Sequence, residues 1–395
     1  MSQPAFDLAY LPLGAAAFGG AERSLLDLAD GMVESGKRVI VFAEGALRET
    51  PFPQIAAERG IELVWVGWAP EHGLMTNVRE ALRVFRRYPA RIIHFNISWR
   101  ERMWVVPVVA KLCTGAKLLG SMRAMPDPHQ LVPRKRYFRL VPGLRLWHLP
   151  EVLVGHVWAK VLDFTVSINA NDFPKRLVAS YGFASDRIRV IYNGIAAPAQ
   201  LATTTQRRSM RQSLGLSDGD ILIAYSGRLS REKGVHILVR ALSQLPGRFH
   251  LVLVGDGPQR GELALLTQEL GVSGRTHFAG FLREPDSIIG VADIVAVPSL
   301  WYEAFGRVVV EAMSLGVPVV ASRIGGMAEL FEDGVHGHYV PPGDAERLAT
   351  TLAQFGADKN ARERSGAEAR KLVLSRYSLE RVRAQYAELY SAIGQ

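Results

Sequence analysis

Two cations and two carboxylates in the second half of the chain have the residue types needed to bind a phosphorylated sugar. Arg228 and Lys233 lie in LIAYSGRLSREKG, directly after a run of strand-forming residues. Glu303 follows a second such run, IVAVPS, and Glu311 lies within FGRVVVEAM. Fixed cations bind a diphosphate well, and a carboxylate can accept hydrogen bonds from two vicinal sugar hydroxyls. The four side chains are therefore candidate ligands for the charged and the hydroxylated parts of one substrate.

The same residues also fit a purely structural role. Arg228 and Lys233 are equally consistent with two solvated surface charges. Arg307, Glu311 and Ser314 follow one another at i, i+4 and i+7, which is the spacing of an ordinary polar stripe on a helix. Helical spacing alone leaves both interpretations of Glu311 open.

Backbone groups near these side chains would complete an anion site. Gly255 follows the strand-like run FHLVLV, and a helix is predicted to begin near Phe305 and Gly306. The first N–H groups of a helix have no partner within it and attract anions. In open parallel α/β sheets, ligands bind beyond the carboxyl ends of the strands. We therefore expect these loops to meet at one edge of a sheet.

The elements that would position these residues alternate along the chain. Short β-rich runs such as FDLAYLPL, ARIIHFN and DILIAYSG are separated by segments with helical periodicity. This alternation predicts an α/β fold in which crossover helices join parallel strands. With 395 residues, the chain is long enough for two such domains.

The predicted domain boundary lies where the alternation pauses. Residues 196–217 are rich in Ala, Thr, Gln and Ser and show no strand pattern, so we predict a linker there between domains 1–195 and 218–376. The last segment, 377–395, predicts an amphipathic helix. Its apolar residues recur at helical intervals at Leu379, Val382, Tyr386, Leu389 and Ile393.

Composition and charge narrow the function classes. Lys and Arg number 47 against 38 Asp and Glu, and the net charge of +9 favours an anionic partner. The single cysteine, Cys113, allows no internal disulfide, and no apolar run is long enough to span a bilayer. These features predict a cytoplasmic protein. The basic residues are scattered and carry no helix-turn-helix, zinc or RNA-binding signature, so we expect no nucleic-acid partner.

Three partial motif matches do not support another function. GMVESGKR, residues 31–38, resembles a phosphate-binding P-loop, but Arg38 replaces its Ser or Thr and the motif precedes a strand. GDGPQR has Arg260 where the dinucleotide fingerprint needs its third glycine. The acidic pair in DGD, residues 218–220, precedes its strand, and no His, Asp or Glu cluster has metal-ligand spacing. We therefore expect neither a nicotinamide cofactor nor a metal.

Several segments, taken in order, resemble one enzyme family. GRLSREKG, LVGDGP, ADIVAVPSLWYEAFGRVVVEAMSLGVPVVAS and GGMAEL resemble the retaining, nucleotide-sugar-dependent glycosyltransferases of the group 1 type, family 4. GAAAFGGAERSLLDLADGMVESGKRVIVFAE resembles the N-terminal start of the same family. The resemblance covers nearly the whole chain. It implies the GT-B fold, in which two Rossmann-like parallel-sheet domains face each other across a cleft and a C-terminal helix returns to the N-terminal domain.

The resemblance also implies a role for each candidate residue on the donor side. Arg228 and Lys233 would neutralise the diphosphate of a nucleotide sugar, and Glu303 would contact the donor-sugar hydroxyls. Glu311 would bind the ribose hydroxyls. The anomeric configuration would be retained, with the leaving phosphate accepting the proton of the acceptor hydroxyl. Backbone contacts to the donor would come from Ala304, Phe305 and Gly306. Gly19 and Gly20, in a glycine-rich loop, would add further backbone contacts, although a simple strand-to-helix turn also explains these glycines.

The acceptor side departs from the family pattern. Many relatives carry a histidine in the loop after the strand that here reads KLLGSM, and this chain has Ser121 and Arg123 near that place. Arg123 would suit an anionic acceptor. His94, near the end of RIIHFN, is a second candidate, although a lone histidine there is often a satisfied structural residue.

A basic and aromatic segment, residues 133–158, suggests contact with an anionic membrane. It interleaves arginine and lysine with Tyr137, Phe138, Trp147 and Trp158, a composition that suits the surface of the inner leaflet. A solvated basic face over an apolar packing face fits the same residues. The membrane interpretation implies a glycan or lipid-linked glycan acceptor of the cell envelope.

Other functions remain open on the residues alone. A nucleotide-sugar epimerase or hydrolase would use the same fold, and a glycoside hydrolase would use Glu303 and Glu311 as paired carboxylates. A non-catalytic protein that binds an anionic ligand is a third alternative, from a different class.

Overall fold

The structure is a computed structural model that describes residues 4–15, 18–97, 103–124, 149–282 and 284–394. The chain forms two compact units. Unit 1 comprises Met1–Gly194 and Glu380–Gln395, and unit 2 comprises Ile195–Leu379. The break after Gly194 lies beside residue 195, where the first domain was predicted to end.

Unit 1 is built on a parallel sheet of seven strands in the order β3-β2-β1-β4-β5-β6-β7. In chain order its elements are β1 (Phe6–Leu13), α1 (Gly20–Glu34), β2 (Val39–Glu44), α2 (Phe52–Glu58), β3 (Glu62–Val66), α3 (Leu74–Arg87), β4 (Ala90–Ile97), α4 (Val105–Cys113), β5 (Lys117–Met122), α5 (Leu149–Val161), β6 (Phe164–Ser167), α6 (Phe173–Tyr181) and β7 (Ile188–Val190). Strand β3, which the sequence pattern did not single out, lies at an edge of the sheet and is only partly buried.

Unit 2 is built on a second parallel sheet, of six strands in the order β10-β9-β8-β11-β12-β13. Its elements are α7 (Thr204–Ser213), β8 (Ile221–Ser226), α8 (Val235–Ser243), β9 (Phe249–Val254), α9 (Arg260–Glu269), β10 (Thr276–Gly280), α10 (Asp286–Ile289), β11 (Ile294–Val297), α11 (Arg307–Ser314), β12 (Val319–Ser322), β13 (Gly337–Val340), α12 (Ala345–Ala357) and α13 (Lys359–Leu372). The last helix of the chain is α14 (Leu379–Gly394).

Each sheet reverses its strand order at one point. In unit 2 the chain proceeds outward from β8 to β10 and then returns to pair β11 with β8. In unit 1 the same reversal pairs β4 with β1. The crevice beyond the carboxyl ends of the strands at such a switch point is where ligands bind in doubly wound sheets. The predicted α/β class with two Rossmann-like sheets is confirmed.

The strands form the cores because parallel sheets are covered on both faces. The side chains of β8 from Ile221 to Tyr225 are all buried, which explains why this strand has the continuous apolar sequence ILIAY. Ile221, Ile223 and Tyr225 pack in one cluster with α8 residues such as Leu238 and Leu242. In unit 1, β1 and β2 pack against the apolar face of α1. Each unit therefore has its own core.

Helix α14, the amphipathic helix that the pattern predicted, completes the core of unit 1, as the family resemblance implied. Val382, Tyr386, Leu389, Tyr390 and Ile393 are buried in the same cluster as β1 and α1. On the side next to α1, the Arg383 guanidinium pairs with the Asp30 and Glu34 carboxylates, each at 2.6 Å.

The predicted linker, 196–217, needs correction, because it contains α7 and belongs to unit 2. The polar residues that suggested a linker have structural roles. Thr203 and Gln206 form a capping box at the start of α7. Arg207 donates to the Gly290 carbonyl at 2.7 Å, and Arg211 pairs with Asp293 at 2.8 Å. A segment without an apolar face can thus be held by arginine bonds to its unit.

In the described part of the chain, no helix combines the length and apolar character that crossing a membrane requires.

Candidate functional site

The loops after β8 and β11 meet at the switch point of unit 2. Gly234 ends the turn Arg231–Lys233 with a φ of 68°, and a Cβ atom there would lie 2.0 Å from the Pro298 carbonyl oxygen. Only glycine fits this approach. The Leu300 N–H also donates to the Glu232 carbonyl at 2.9 Å. The two loops are therefore packed backbone against backbone.

This packing brings Lys233 and Glu303 together. Lys233 Nζ lies 2.5 Å from Glu303 Oε1, and the Ser299 hydroxyl donates to the same oxygen at 2.9 Å. The Gly326 N–H donates to the Glu303 carbonyl at 2.7 Å, which holds the backbone of the loop. Among the described residues, no group bonds to Glu303 Oε2. Glu303 can therefore accept hydrogen bonds from a ligand through that oxygen.

Arg228 lies two residues after β8 and has an exposed side chain. Its carbonyl accepts a hydrogen bond from the Tyr225 hydroxyl at 2.8 Å, which fixes the turn. Within the residues that the structure describes, no carboxylate forms an ion pair with Arg228. Its charge is therefore available to an anion.

Gly255 serves the site by close packing and not through its N–H group. A Cβ atom at Gly255, where φ is 136°, would lie 2.0 Å from the Gly227 carbonyl oxygen. Its N–H already donates to the Gly280 carbonyl at 2.7 Å. The glycine lets the loops after β8 and β9 approach each other beside Arg228.

Helix α11 begins at the same edge of the sheet. Gly306 precedes its first residue with a φ of 89°, a conformation that favours glycine. Phe305 is 3% exposed and packs edge-on against Tyr377, so its side chain belongs to the core. Ala304 and Phe305 can therefore reach a ligand at most through backbone groups or the Ala304 methyl group.

Glu311 lies on the second turn of α11 and pairs with Arg307. Arg307 Nε donates to Glu311 Oε1 at 2.7 Å, and the two side chains are 16% and 27% exposed. The i, i+4 stripe that the sequence suggested is thus formed and is partly buried. In the described part of the chain, Glu311 Oε2 has no hydrogen-bond partner. Like Glu303, Glu311 presents one oxygen that can accept from a ligand.

Gly19 and Gly20 lie at the start of α1, after β1 at the switch point of unit 1. Gly19 caps the helix with an extended φ of −147°, which any residue can adopt. Its N–H donates to Glu22 Oε2 at 2.9 Å. Burial raises the pKa of Glu22, and hydrogen bonds from backbone N–H groups and the charge of Arg123 oppose that shift. The Gly19 N–H is therefore used within the protein.

His94 lies in a buried network on β4. Its Nδ1 is 2.7 Å from the Tyr390 hydroxyl and its Nε2 is 2.6 Å from Ser121 Oγ. The ring also stacks on Tyr386. Both nitrogens have internal partners and the residue is 2% exposed, which corresponds to the structural alternative for a strand-end histidine. The structure does not bring His94 to a ligand-accessible edge.

Arg123 lies at the carboxyl end of β5, near the switch point of unit 1. Its Nε donates to Asn96 Oδ1 at 2.5 Å, and its Nη1 donates to Asn193 Oδ1. Asn96 is itself held by a bond from its Nδ2 to the Ala21 carbonyl at 3.0 Å. The side chain is therefore oriented by two amides, one near the end of β4 and one in the loop after β7.

Most of the basic and aromatic segment, residues 133–148, lies outside the described residues. Trp158 at its end is 0% exposed in α5. This corrects its inclusion among the candidate membrane-binding side chains, because a fully buried ring cannot contact a lipid surface.

Residues 206–372 match the family model described as glycosyl transferases group 1. The matched segment lies within unit 2 and contains Arg228, Lys233, Glu303 and Glu311. The chain contains a glycosyl transferases group 1 domain. The group 1 part of the resemblance found in the sequence is confirmed.

Relatives extend this likeness beyond the group 1 domain. An uncharacterised glycosyltransferase of Methanocaldococcus jannaschii is 33% identical over 62% of this chain, and the match spans 62% of that relative's length. A D-inositol 3-phosphate glycosyltransferase of Xylanimonas cellulosilytica is 29% identical over 89% of this chain and 87% of the relative. HepE of Anabaena, solved with UDP, covers 98% of this chain and 100% of its own at 24% identity, with a TM-score of 0.82. This likeness supports the GT-B fold.

Sequence reasoning missed three residues that orient the candidate ligands. Ser299 holds Glu303 in the group 1 domain, and Asn96 and Asn193 hold Arg123 in unit 1. Each lies near or just after the end of a strand, and this position in the sequence could have identified them.

No group of three or more His, Cys, Asp or Glu side chains in the described ranges is arranged to hold a metal ion.

Proposed function

We propose that the protein transfers a glycosyl group from a nucleoside-diphosphate sugar to an acceptor hydroxyl, with retention of the anomeric configuration. One observation carries the proposal: Lys233 and Glu303 are in contact at the switch point of unit 2. The same loop after β8 carries Arg228, which forms no ion pair with any described carboxylate. One site thus contains two cations that can bind phosphate, Arg228 and Lys233, and a carboxylate that can bind hydroxyls, Glu303. Membership of the group 1 family supports the same reaction class.

Charge explains how this site would accelerate the reaction. Breaking the anomeric C–O bond leaves negative charge on the diphosphate and positive character on the sugar. Arg228 and Lys233 stabilise the leaving diphosphate, and Glu303 holds Lys233 in place before the reaction begins. The two cations supply the charge that a metal provides elsewhere, so we propose a metal-independent reaction without a cofactor.

Glu303 and Glu311 orient the donor in this proposal. Each has one oxygen held by a neighbouring cation and one that can accept from hydroxyls, which suits a hydrogen-bonding ligand more than an attacking group. Glu303 accepts from the sugar and Glu311 from the ribose. The proton of the acceptor passes to the leaving phosphate. Fixing the donor in this way lowers the activation barrier, because it orients the reacting groups.

The donor is proposed to carry uridine. HepE, which shares the fold, was solved with UDP and with UDP-glucose. The acceptor is proposed to be a glycan or a lipid-linked glycan of the cell envelope, bound by unit 1.

A thermal-shift screen against UDP, GDP, ADP and NAD tests the donor site. A ligand that binds only the folded state raises the melting temperature. UDP should stabilise the wild type, and Arg228→Ala and Glu311→Ala should weaken its binding by about tenfold or more each. Arg248→Ala is the matched control, because Arg248 is an exposed arginine just before β9, at the opposite edge of the same sheet.

The outcomes separate the competing functions. If UDP raises the melting temperature equally in all variants, nucleotides bind at another site. If no diphosphate raises the melting temperature, the proposed function is wrong. Release of free sugar from UDP-glucose without an acceptor would indicate a hydrolase instead. With an acceptor, NMR of the product determines whether the anomeric configuration is retained.

Peripheral binding to the inner leaflet is proposed for unit 1. The described residues support it through α3, whose exposed side carries Arg79, Arg83, Arg86 and Arg87. Leu74 and Met75 at the start of α3 are 49% and 62% exposed. Flotation with vesicles containing phosphatidylglycerol should recover the protein at low salt and lose it as salt rises. Vesicles of phosphatidylcholine alone are the control, and equal recovery or none with both would contradict the proposal.

A further inference from the structure

Arg123 is a buried cation that forms no ion pair with any described carboxylate. In the described part of the chain, Arg123 and Arg362 are both more than nine-tenths buried. Arg362 Nη2 lies 3.9 Å from Asp293, and its Nη1 donates to two backbone carbonyls. Among the described side chains, Arg123 bonds only to the neutral amides of Asn96 and Asn193. Buried charges are normally paired, because desolvation of an unpaired charge is costly.

The guanidinium also has unused donors. Arginine carries five N–H groups, and the bonds to Asn96 and Asn193 use two of them. The others have no acceptor among the described residues. Because Asn96 and Asn193 fix the plane of the guanidinium, the outer edge with Nη2 is preoriented for a fork-like contact with two oxygens.

Solvent reaches this edge. Arg123 retains 8% of its surface, and Nη2 is not among the enclosed side-chain atoms that lack a hydrogen-bond partner. Nη2 is therefore not fully enclosed by the protein.

The surroundings leave room for a negative charge. The Glu22 carboxylate feels the charge of Arg123 without forming an ion pair with it, and it accepts a hydrogen bond from the Gly19 N–H. His94, on the neighbouring strand, is held neutral by burial, with Arg123 lowering its pKa further. Tyr390 is also neutral in this environment, because burial raises its pKa. The positive charge of Arg123 thus has no close opposing charge in the described structure.

We propose that Arg123 binds an oxyanion, a phosphate or carboxylate group carried by the acceptor. The assignment to the acceptor rests on the proposed function, in which Arg228 and Lys233 of unit 2 hold the donor diphosphate. The anion site itself stands on the geometry of unit 1. Arg123 is then a specificity-determining residue that favours a charged acceptor over a neutral one.

The test uses the full chain and simple anions. Melting temperatures are measured with increasing inorganic phosphate or glucose 6-phosphate, at an ionic strength held constant with sodium chloride, and with glucose as the uncharged control. The two phosphates should stabilise the wild type in a saturable way, and glucose should not. Arg123→Gln should abolish the response. Arg176→Gln should retain it, because Arg176 is a partly buried arginine of the same unit that already pairs with Asp172 at 3.3 Å.

A second variant covers the case in which Arg123→Gln does not fold. Arg123→Lys keeps the charge and loses the planar fork, so its affinity for glucose 6-phosphate should fall by about tenfold or more. A wild type that no phosphate stabilises, or an Arg123→Lys variant with unchanged affinity, would overturn the proposal.

The source of the anion is decided in Arg228→Ala. If this variant keeps the response to glucose 6-phosphate while losing the response to UDP, the anion belongs to the acceptor. If Arg123→Gln weakens UDP binding and no sugar phosphate stabilises the wild type, Arg123 reads the donor diphosphate and the acceptor assignment is wrong. If phosphates stabilise the wild type through Arg123 and no nucleotide binds, the proposed function fails while the anion site remains.

Discussion

Lys233 Nζ lies 2.5 Å from Glu303 Oε1, so the loops after β8 and β11 share one ion pair at the switch point of unit 2. The two side chains are 34% and 20% exposed. Water screens such a partly buried pair less than an open surface pair. The pair holds both groups ready before a ligand arrives, and this relationship leads to the first two predictions.

Replacing Lys233 should affect catalysis more than folding. We expect Lys233→Met to lower kcat for glycosyl transfer by about 100-fold, because a fixed cation no longer stabilises the leaving diphosphate. The measurement is steady-state turnover of the nucleotide sugar that the thermal-shift screen identifies. Lys359→Met is the control, since Lys359 is an exposed lysine on α13 that pairs with Glu363 at 3.7 Å. Equal kcat values in the two variants would contradict a role for Lys233.

Removing the Ser299 hydroxyl should weaken the hold on the donor sugar. Ser299→Ala deletes one of two donors to Glu303 Oε1. Loss of such a bond costs about 1 kcal/mol, so affinity for UDP-glucose should fall several-fold while affinity for UDP is unchanged. Calorimetric titration with both ligands measures the difference. Ser322→Ala is matched in burial, with both serines 1% exposed, and Ser322 ends the neighbouring strand β12. A parallel loss for UDP would indicate a general structural defect.

The Tyr390 hydroxyl should stabilise unit 1. It bonds to His94 Nδ1 at 2.7 Å and to the Tyr10 hydroxyl at 2.9 Å, both in buried positions. Tyr390→Phe leaves these partners unsatisfied, and we expect the free energy of unfolding to fall by about 1–3 kcal/mol.

Urea unfolding followed by tryptophan fluorescence measures this loss, because six of the seven tryptophans lie in unit 1. Tyr88→Phe is the control at an exposed hydroxyl, which accepts only a 3.3 Å bond from Arg87. An unchanged unfolding midpoint in Tyr390→Phe would show that the network adds no stability.

The stability of unit 1 should depend on pH through His94. Burial lowers the pKa of His94 well below its usual 6.5, and the charge of Arg123 lowers it further. The unfolded chain therefore binds a proton near pH 6.5 that the folded chain does not. The free energy of unfolding should be fully retained above that pH and fall as pH drops below about 6.5.

Urea unfolding at a series of pH values, again followed by tryptophan fluorescence, measures this dependence. His94→Gln removes the titrating group and should flatten the curve. His277→Gln is the control in unit 2, where burial also lowers the histidine pKa. A curve of unchanged slope in His94→Gln would assign the pH dependence to other groups.

The elements were more predictable than the contacts between them. The run FDLAYLPL predicts β1 with its observed ends, because a parallel strand covered on both faces is apolar along most of its length. Edge strand β3 was missed, since partial burial weakens that pattern. The segment 196–217 predicts a linker because it has no apolar face. In the structure it contains α7, which arginine bonds anchor to unit 2. Local patterns report burial well and report distant polar partners poorly.

The sequence by itself determined the alternation of strands and helices, the group 1 resemblance and the identity of the charged residues that follow strands. Those features depend on periodicity and residue order, which are local. Only the tertiary structure decided that His94 is enclosed by Tyr390 and Ser121, whereas Arg123 keeps donors without an acceptor among the described residues. Both residues come near strand ends, and the sequence does not distinguish their environments. Their difference arises from α14, which returns from the far end of the chain, and such long-range packing sets which polar groups are satisfied.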